Sequence, residues 1–281
     1  MGLGSIGSLI ALDLSQAGHE VEGFDLRQSN NERLLKIKIH VNSIESHLKI
    51  NTKSKLSSNS DLVIVATKSY DLIEGVIEYL INSNKETLFV QNGVKMLIDN
   101  SNKTDNFHFG TVTGVESYSD TKVNTIIPKE CYIPIISGKF NGKINELCNE
   151  RMLRYVNFST VNKDHMVFYR KYIRWVMVSI LNIFREEHLD KVIEFAGTQV
   201  VMETLDELCG FVKQISDCNL SSEDVFNDIV ALPKELKTSA FRDYKKNTKS
   251  ELKSELDLIV TELKRVGSKH DLIAKWKEII K

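Results

Sequence analysis

Three glycines, two polar residues at the ends of apolar runs, and a later Ser, Asp and Glu have types and spacings suited to chemistry. Gly2, Gly4 and Gly7 form a complete G-x-G-x-x-G, with Ser5 and Ile6 between the last two. In such a motif the first glycine allows a tight turn, the second lets a pyrophosphate approach the backbone, and the third lets helix and strand pack closely. The phosphates then meet the positive end of a helix. Asp25 follows Gly7 by 18 residues, close to where an acid is expected to bind a ribose hydroxyl. Lys68 and Asn92 each close an apolar segment, where open α/β sheets bind ligands. An ammonium there can meet a ribose, a phosphate or a carboxylate, and an amide can hydrogen-bond ribose or a nicotinamide. Lys68 also reads as a snorkelling surface lysine, and Asn92-Gly93 as an ordinary turn. Ser239 and Asp243 are an i,i+4 pair on one helix face, and Glu251 lies eight residues farther on, after a break near Asn247. Glu251 can hydrogen-bond a substrate hydroxyl; with Asp243 it also reads as a solvated acid in a Lys-rich helix.

Holding these groups requires a sheet and several helices. Residues 8–16 read as an apolar-faced helix stopped by Ala17-Gly18-His19, and residues 21–24 as a strand. Asp61 to Lys68 and Thr87 to Gly93 carry apolar runs without alternation, as expected of parallel strands buried on both faces. A helix over 71–81 separates them. Further strands are expected at 107–113, 131–136 and 156–161, with a helix over 144–155. Strands alternating with helices indicate a doubly wound sheet. The glycine motif should itself follow a buried strand of about 5–6 residues, so the expectation is that this central strand lies upstream of Met1. From about His165 onward helical periodicity takes over: 166–184, 189–215, 222–228, 233–246 and 250–266. Pro233 suits a first helical turn, and Ser221 or Ser222 with Glu223 and Asp224 suits a capped, acid-rich start. The division is therefore a Rossmann-type domain over 1–164 and an all-α domain over 165–281.

Composition narrows the function classes. At 281 residues and a net charge of −1, the chain has no basic field for nucleic acid. Its longest apolar runs, such as 175–181, fall far short of a bilayer span. Cys131, Cys148, Cys209 and Cys218 lack metal-type or C-x-x-C spacing, so free thiols in a reducing cytoplasm and no metal are expected.

The order of motifs is a glycine loop, Thr67-Lys68-Ser69-Tyr70-Asp71, Val90-Gln91-Asn92-Gly93, Gly110-Thr111-Val112-Thr113, and then a helical domain. It resembles the ketopantoate reductase family, which reduces 2-dehydropantoate to pantoate with NADPH in pantothenate biosynthesis. The resemblance implies that the second domain is of the 6-phosphogluconate-dehydrogenase-like helical type and that a 2-oxo acid lies in the cleft between the domains. In the family a helix entering this domain carries a Lys with Asn four and eight residues later, and the Lys protonates the developing alkoxide. The match to residues 172–182 places Arg174 at the Lys position, Val178 at the first Asn and Asn182 at the second. Guanidinium is a poor proton donor at neutral pH. It can still stabilise an oxyanion, and Lys171, three residues earlier on nearly the same face, can substitute as donor, so the expectation is that Arg174 or Lys171 faces the carbonyl oxygen. Ser239, Asp243 and Glu251 reproduce the spacing of the family's substrate motif. Gly2, Gly4, Ser5, Ile6, Gly7, Asp25, Arg27, Lys68 and Asn92 would bind the cofactor.

Cofactor preference divides. Asp25 favours the free 2′-hydroxyl of NAD, whereas Arg27 can bind the 2′-phosphate of NADP, which the resemblance favours. The leading expectation is a cytoplasmic NADPH-dependent reductase of 2-dehydropantoate, with a homodimer compatible. Its rivals are a reductase of another branched 2-oxo acid and a catalytically impaired NAD(P)-binding paralogue.

Overall fold

A computed structural model describes residues 2, 4–24, 31–39, 44–53, 58–68, 72, 74–119, 124–136, 142–160 and 165–280. The chain divides into two compact units, one of residues 1–91 with 99–162, the other of residues 92–98 with 163–281.

The first unit holds a sheet of β1 (Gly23–Phe24), β2 (Asn31–Ile39), β3 (Ile44–Lys53), β4 (Leu62–Val65), β5 (Glu86–Val90), β6 (Phe107–Gly110), β7 (Thr113–Ser119), β8 (Asn124–Ile136) and β9 (Val156–Thr160). Its order is β1-β3-β2-β8-β6-β5-β4, with β7 and β9 also paired to β8. Strands β4, β5 and β6 run parallel, in keeping with the apolar runs that β4 and β5 carry. The helices here are α1 (Ser5–Gln16), α2 (Glu74–Ser83), α3 (Lys95–Asn100), which crosses into the second unit, and α4 (Lys143–Cys148). Helix α1 buries Leu9, Ile10, Ala11 and Leu12 in a core shared with Leu88, Val90, Ile133, Ile135 and Val156. Each Leu, Ile or Val among them contributes about 1.5–3 kcal/mol on burial. The helix ends where Gly18 takes φ +94, with His19 N–H bonded to the Leu14 carbonyl and Gly18 N–H to that of Ser15.

Asp13 is the polar exception on this buried face. Its carboxylate, fully buried, accepts the backbone N–H groups of Arg154, Tyr155 and Val156 at 2.8–2.9 Å. These bonds explain why the helix expected over 144–155 stops at Cys148: the later amides are drawn to Asp13 instead of to a helical turn. Asp13→Ala leaves three donors unpaired and is expected to cost about 2–4 kcal/mol in urea denaturation. An unchanged midpoint would show the anchor to be redundant.

A cavity of about 650 Å³ lies beside Val21–Gly23 and Asp61–Ile64, floored by Ile10, Ala11 and Leu14 of α1. Among the described residues β1 pairs only with β3, and β4 only with β5. Two strand edges and an apolar floor make a slot that an extended apolar segment can fill.

The second unit is helical: α5 (His165–Phe184), α6 (Leu189–Ala196), α7 (Thr198–Ser216), α8 (Ser222–Val230), α9 (Ser239–Lys245), α10 (Glu251–Arg265) and α11 (Asp271–Ile279). The helix expected over 189–215 is broken at Gly197, whose φ of +87 and ψ of 122 no helix accommodates. The helix expected over 233–246 shrinks to α9. Pro233 opens a turn closed by Leu236 N–H, and Thr238 caps α9 by accepting Phe241 N–H. Ser221 caps α8 through Asp224 N–H, and Asn247, at φ +50, ends α9. Glu207 of α7, buried, accepts the N–H groups of Leu272 and Ile273 and so fixes the start of α11.

Candidate active site

Within the first unit the glycine loop has the form a diphosphate needs. Gly2 sits at φ +79, and a Cβ there would lie 2.6 Å from Thr67 N, so its conformation and space both demand glycine. At Gly7 a Cβ would lie 1.9 Å from the Gly2 carbonyl oxygen and 3.3 Å from Ala66 Cβ, which closes the loop onto the end of β4. Gly4 differs: its Cβ would meet nothing within 4 Å. It is the N-cap of α1 and carries no side-chain cap, so the first-turn amides of Ser5 and Ile6 point from a helix N-terminus with open space beside them. The residues therefore fit a dinucleotide pyrophosphate. Lys68, half-buried, follows Thr67, whose carbonyl accepts Gln91 Nε2–H at 2.9 Å and so ties the end of β4 to that of β5. Asp25 and Arg27 lie outside the described residues, as do Ser69, Tyr70 and Asp71.

The second unit gathers a polar cluster around the turn after β5. Lys171 of α5 is buried, and its ammonium donates to Asn92 Oδ1 at 2.9 Å. Glu255 of α10 is fully buried against the same turn and accepts Val94 N–H at 3.1 Å, Lys95 N–H at 3.3 Å and the Tyr172 hydroxyl at 3.1 Å. Burial pushes the Glu255 carboxyl up to about 7, against the opposing pull of its three donors. Glu251, one turn back and also buried, adds to the rise through its charge. Burial also holds the Tyr172 hydroxyl well above its ordinary range, so it stays a donor.

The other expected residues distribute unevenly. Arg174 is half-buried, with Arg170 and Asp228 as its charged neighbours, and burial draws its guanidinium below the ordinary value. Asp228 is held by Arg170 at 2.5 and 2.9 Å. Asn182, fully buried, accepts Thr238 N–H through Oδ1 at 3.0 Å, which places it at the cap of the helix that Ser239 begins. Ser179 joins the same junction, donating to Thr238 Oγ1 at 2.9 Å. Two buried donors, Asn182 Nδ2 and Trp175 Nε1, have no hydrogen-bond partner among the described residues. Asp243 and Glu251 are set apart by the left-handed Asn247.

Glu255 and Tyr172 were not legible as functional residues in the sequence. One signal existed: Glu255 interrupts the apolar stripe Leu252, Leu256, Ile259, Leu263, at a position where the helical period calls for a core side chain. Among the described residues no group of three or more His, Cys, Asp and Glu could hold a metal ion. The four cysteines are unbridged, and burial pushes the Cys209 thiol up to about 12. No helix among the described residues is long and apolar enough to cross a membrane.

Residues 1–133 match the family described as ketopantoate reductase PanE/ApbA. No curated protein matches the chain in sequence. Among solved structures, the dimeric ketopantoate reductase of Staphylococcus aureus aligns with a TM-score of 0.78 at 14% identity, over 99% of this chain and 95% of that one. D-mandelate dehydrogenase in a ternary structure with NADH and anilino(oxo)acetate gives 0.80 at 18% identity, over 99% and 95%. The probable 2-dehydropantoate 2-reductase of Bacillus subtilis gives 0.76 at 16%, over 99% and 97%. At these identities the likeness establishes the fold, a Rossmann-like N-terminal part followed by a helical one.

Proposed function

We propose that the chain, whose residues 1–133 match the ketopantoate reductase PanE/ApbA family, reduces a 2-oxo acid to the 2-hydroxy acid with NADPH or NADH. The dinucleotide-binding part would span 1–164 and the substrate-binding part 165–281. The observation that carries the reading is the 2.9 Å hydrogen bond from Lys171 to Asn92. A bound nicotinamide supplies the hydride. The protein must supply a proton to the carbonyl oxygen as it gains negative charge, and a charge to steady it meanwhile. Lys171 can do both, because an ammonium in a shielded site carries a proton that it can release. Asn92 Oδ1 fixes the direction of that ammonium. Arg174 cannot take the role, since guanidinium keeps its protons at neutral pH even when burial lowers its affinity for them. Asn182, Ser239 and Glu251 would hold the substrate's polar ends, with Asp243 in support, and Gly2, Gly4, Ser5, Ile6, Gly7, Lys68 and Asn92 the cofactor.

2-Dehydropantoate is the default substrate. A different 2-oxo acid is favoured by two residues of α5: four and eight positions beyond Lys171 stand Trp175 and Ser179, both buried, in place of two asparagines. An indole there favours a flatter, more apolar substrate, and its unpaired Nε1–H is a donor. Steady-state oxidation of NADPH and NADH with 2-dehydropantoate, branched aliphatic and aryl 2-oxo acids decides among these. Preferred turnover of an aryl acid selects the second reading. Tight NAD(P)H binding with no turnover of any acid would leave a non-catalytic binding protein.

A further inference from the structure

Glu255 has no part in the chemistry above, yet it accepts three hydrogen bonds beside the Asn92 turn. Its two oxygens accept two consecutive backbone N–H groups and a phenol. The fit is tight enough to dictate a neighbour: a Cβ at Gly93 would lie 2.0 Å from Oε1 and 2.5 Å from Cδ. Gly93 has no positive φ, so glycine is needed here for space alone. Removing the carboxylate would leave the amides of Val94 and Lys95 and the Tyr172 hydroxyl without an acceptor in a dry interior.

We propose that Glu255 is a positioning residue that clamps the 92–95 turn, so that Asn92 stays in hydrogen-bond register with Lys171. The ionised carboxylate is the stronger acceptor and grips the turn most firmly, whereas protonation replaces one acceptor oxygen by a donor. Around it stand the Tyr172 hydroxyl from α5, the backbone N–H groups of Val94 and Lys95 from the turn, and Glu251 from its own helix. With the Glu255 carboxyl raised to about 7, the change from loose to firm falls near neutrality. The native state then binds a proton that the unfolded chain has released. The clamp therefore costs stability as pH rises from about 4.5 through about 7, and the turn gains order as the native carboxyl ionises around 7.

The test has one arm independent of catalysis. In a pH titration of the isotope-labelled protein followed by NMR, the Val94 and Lys95 amides should shift together with a midpoint near 7 in the parent and stay flat in Glu255→Gln. The kinetic arm rests on the reading of Lys171 as proton donor. There, Glu255→Gln should lower kcat about ten- to a hundredfold with the KM for NAD(P)H unchanged, because a misplaced acid slows chemistry without touching the cofactor. Amides that do not titrate in the parent overturn the clamp, and so does an active parent whose kcat survives Glu255→Gln. A parent inactive on every 2-oxo acid would defeat the functional reading alone, and the amide titration would then decide the clamp by itself.

Discussion

Lys171→Ala is expected to lower kcat/KM for 2-oxo acid reduction by about 10²–10⁴-fold, the usual worth of a positioned acid, with NAD(P)H affinity nearly unchanged. The reasoning is local. Lys171 is a buried cation whose ammonium is directed by Asn92, and truncation removes both the proton and the charge that the proposed reaction places at the developing oxyanion. Lys171→Arg should restore the charge but not the proton, and so recover only part of the rate. Arg174→Ala, by contrast, should change kcat/KM less than about tenfold, since its charged neighbours are Arg170 and Asp228 rather than the Asn92 turn. Arg174→Lys should not raise turnover. Steady-state kinetics on the four variants decides the matter: if Arg174→Ala is the one that abolishes activity, the proton donor has been assigned to the wrong turn of α5.

The second large effect concerns Gly4→Asp, which should weaken NAD(P)H binding about a thousandfold. A carboxylate about 4 Å from a pyrophosphate oxygen at an effective dielectric near 20 costs about 4 kcal/mol, equivalent to three decades in Kd. Folding should be spared, because a side chain at Gly4 enters open space and φ is an unremarkable −74°. Gly7→Ala is the contrasting case. Its Cβ would overlap the Gly2 carbonyl oxygen, so it should lower the melting temperature as well as affinity. Fluorescence titration with NADPH, paired with thermal melts, separates the two. Unimpaired binding by Gly4→Asp would mean that the loop is only a turn.

Much of this molecule is written in short-range pattern. The glycine loop, the apolar runs of β4 and β5, the Ser221 cap and the stop at Asn247 each depend on residues within one or two turns of each other, and each is found in the structure. Local signals failed where a local preference met a distant partner. The expected helix beyond Cys148 yields because Asp13, more than 140 residues away in sequence, takes its amides. The expected 189–215 helix yields to Gly197, whose backbone conformation the apolar period does not encode.

The sequence by itself determined the kind of chemistry: a diphosphate loop, polar groups at strand ends, and cations on one helix of an all-helical part. Only the tertiary structure decided which cation meets Asn92. Lys171 and Arg174 are separated by three residues on one helix, so periodicity places both near the same face, and the choice turns on how α5 is rotated against its neighbours. That rotation is set by packing of Tyr172, Val176 and their neighbours in the core, a sum of contacts between segments far apart in sequence. Glu255 is the same lesson in reverse. It breaks an apolar stripe for no local reason, and its acceptor role exists only because α10 lies against a turn about 160 residues earlier, where two amides need an acceptor.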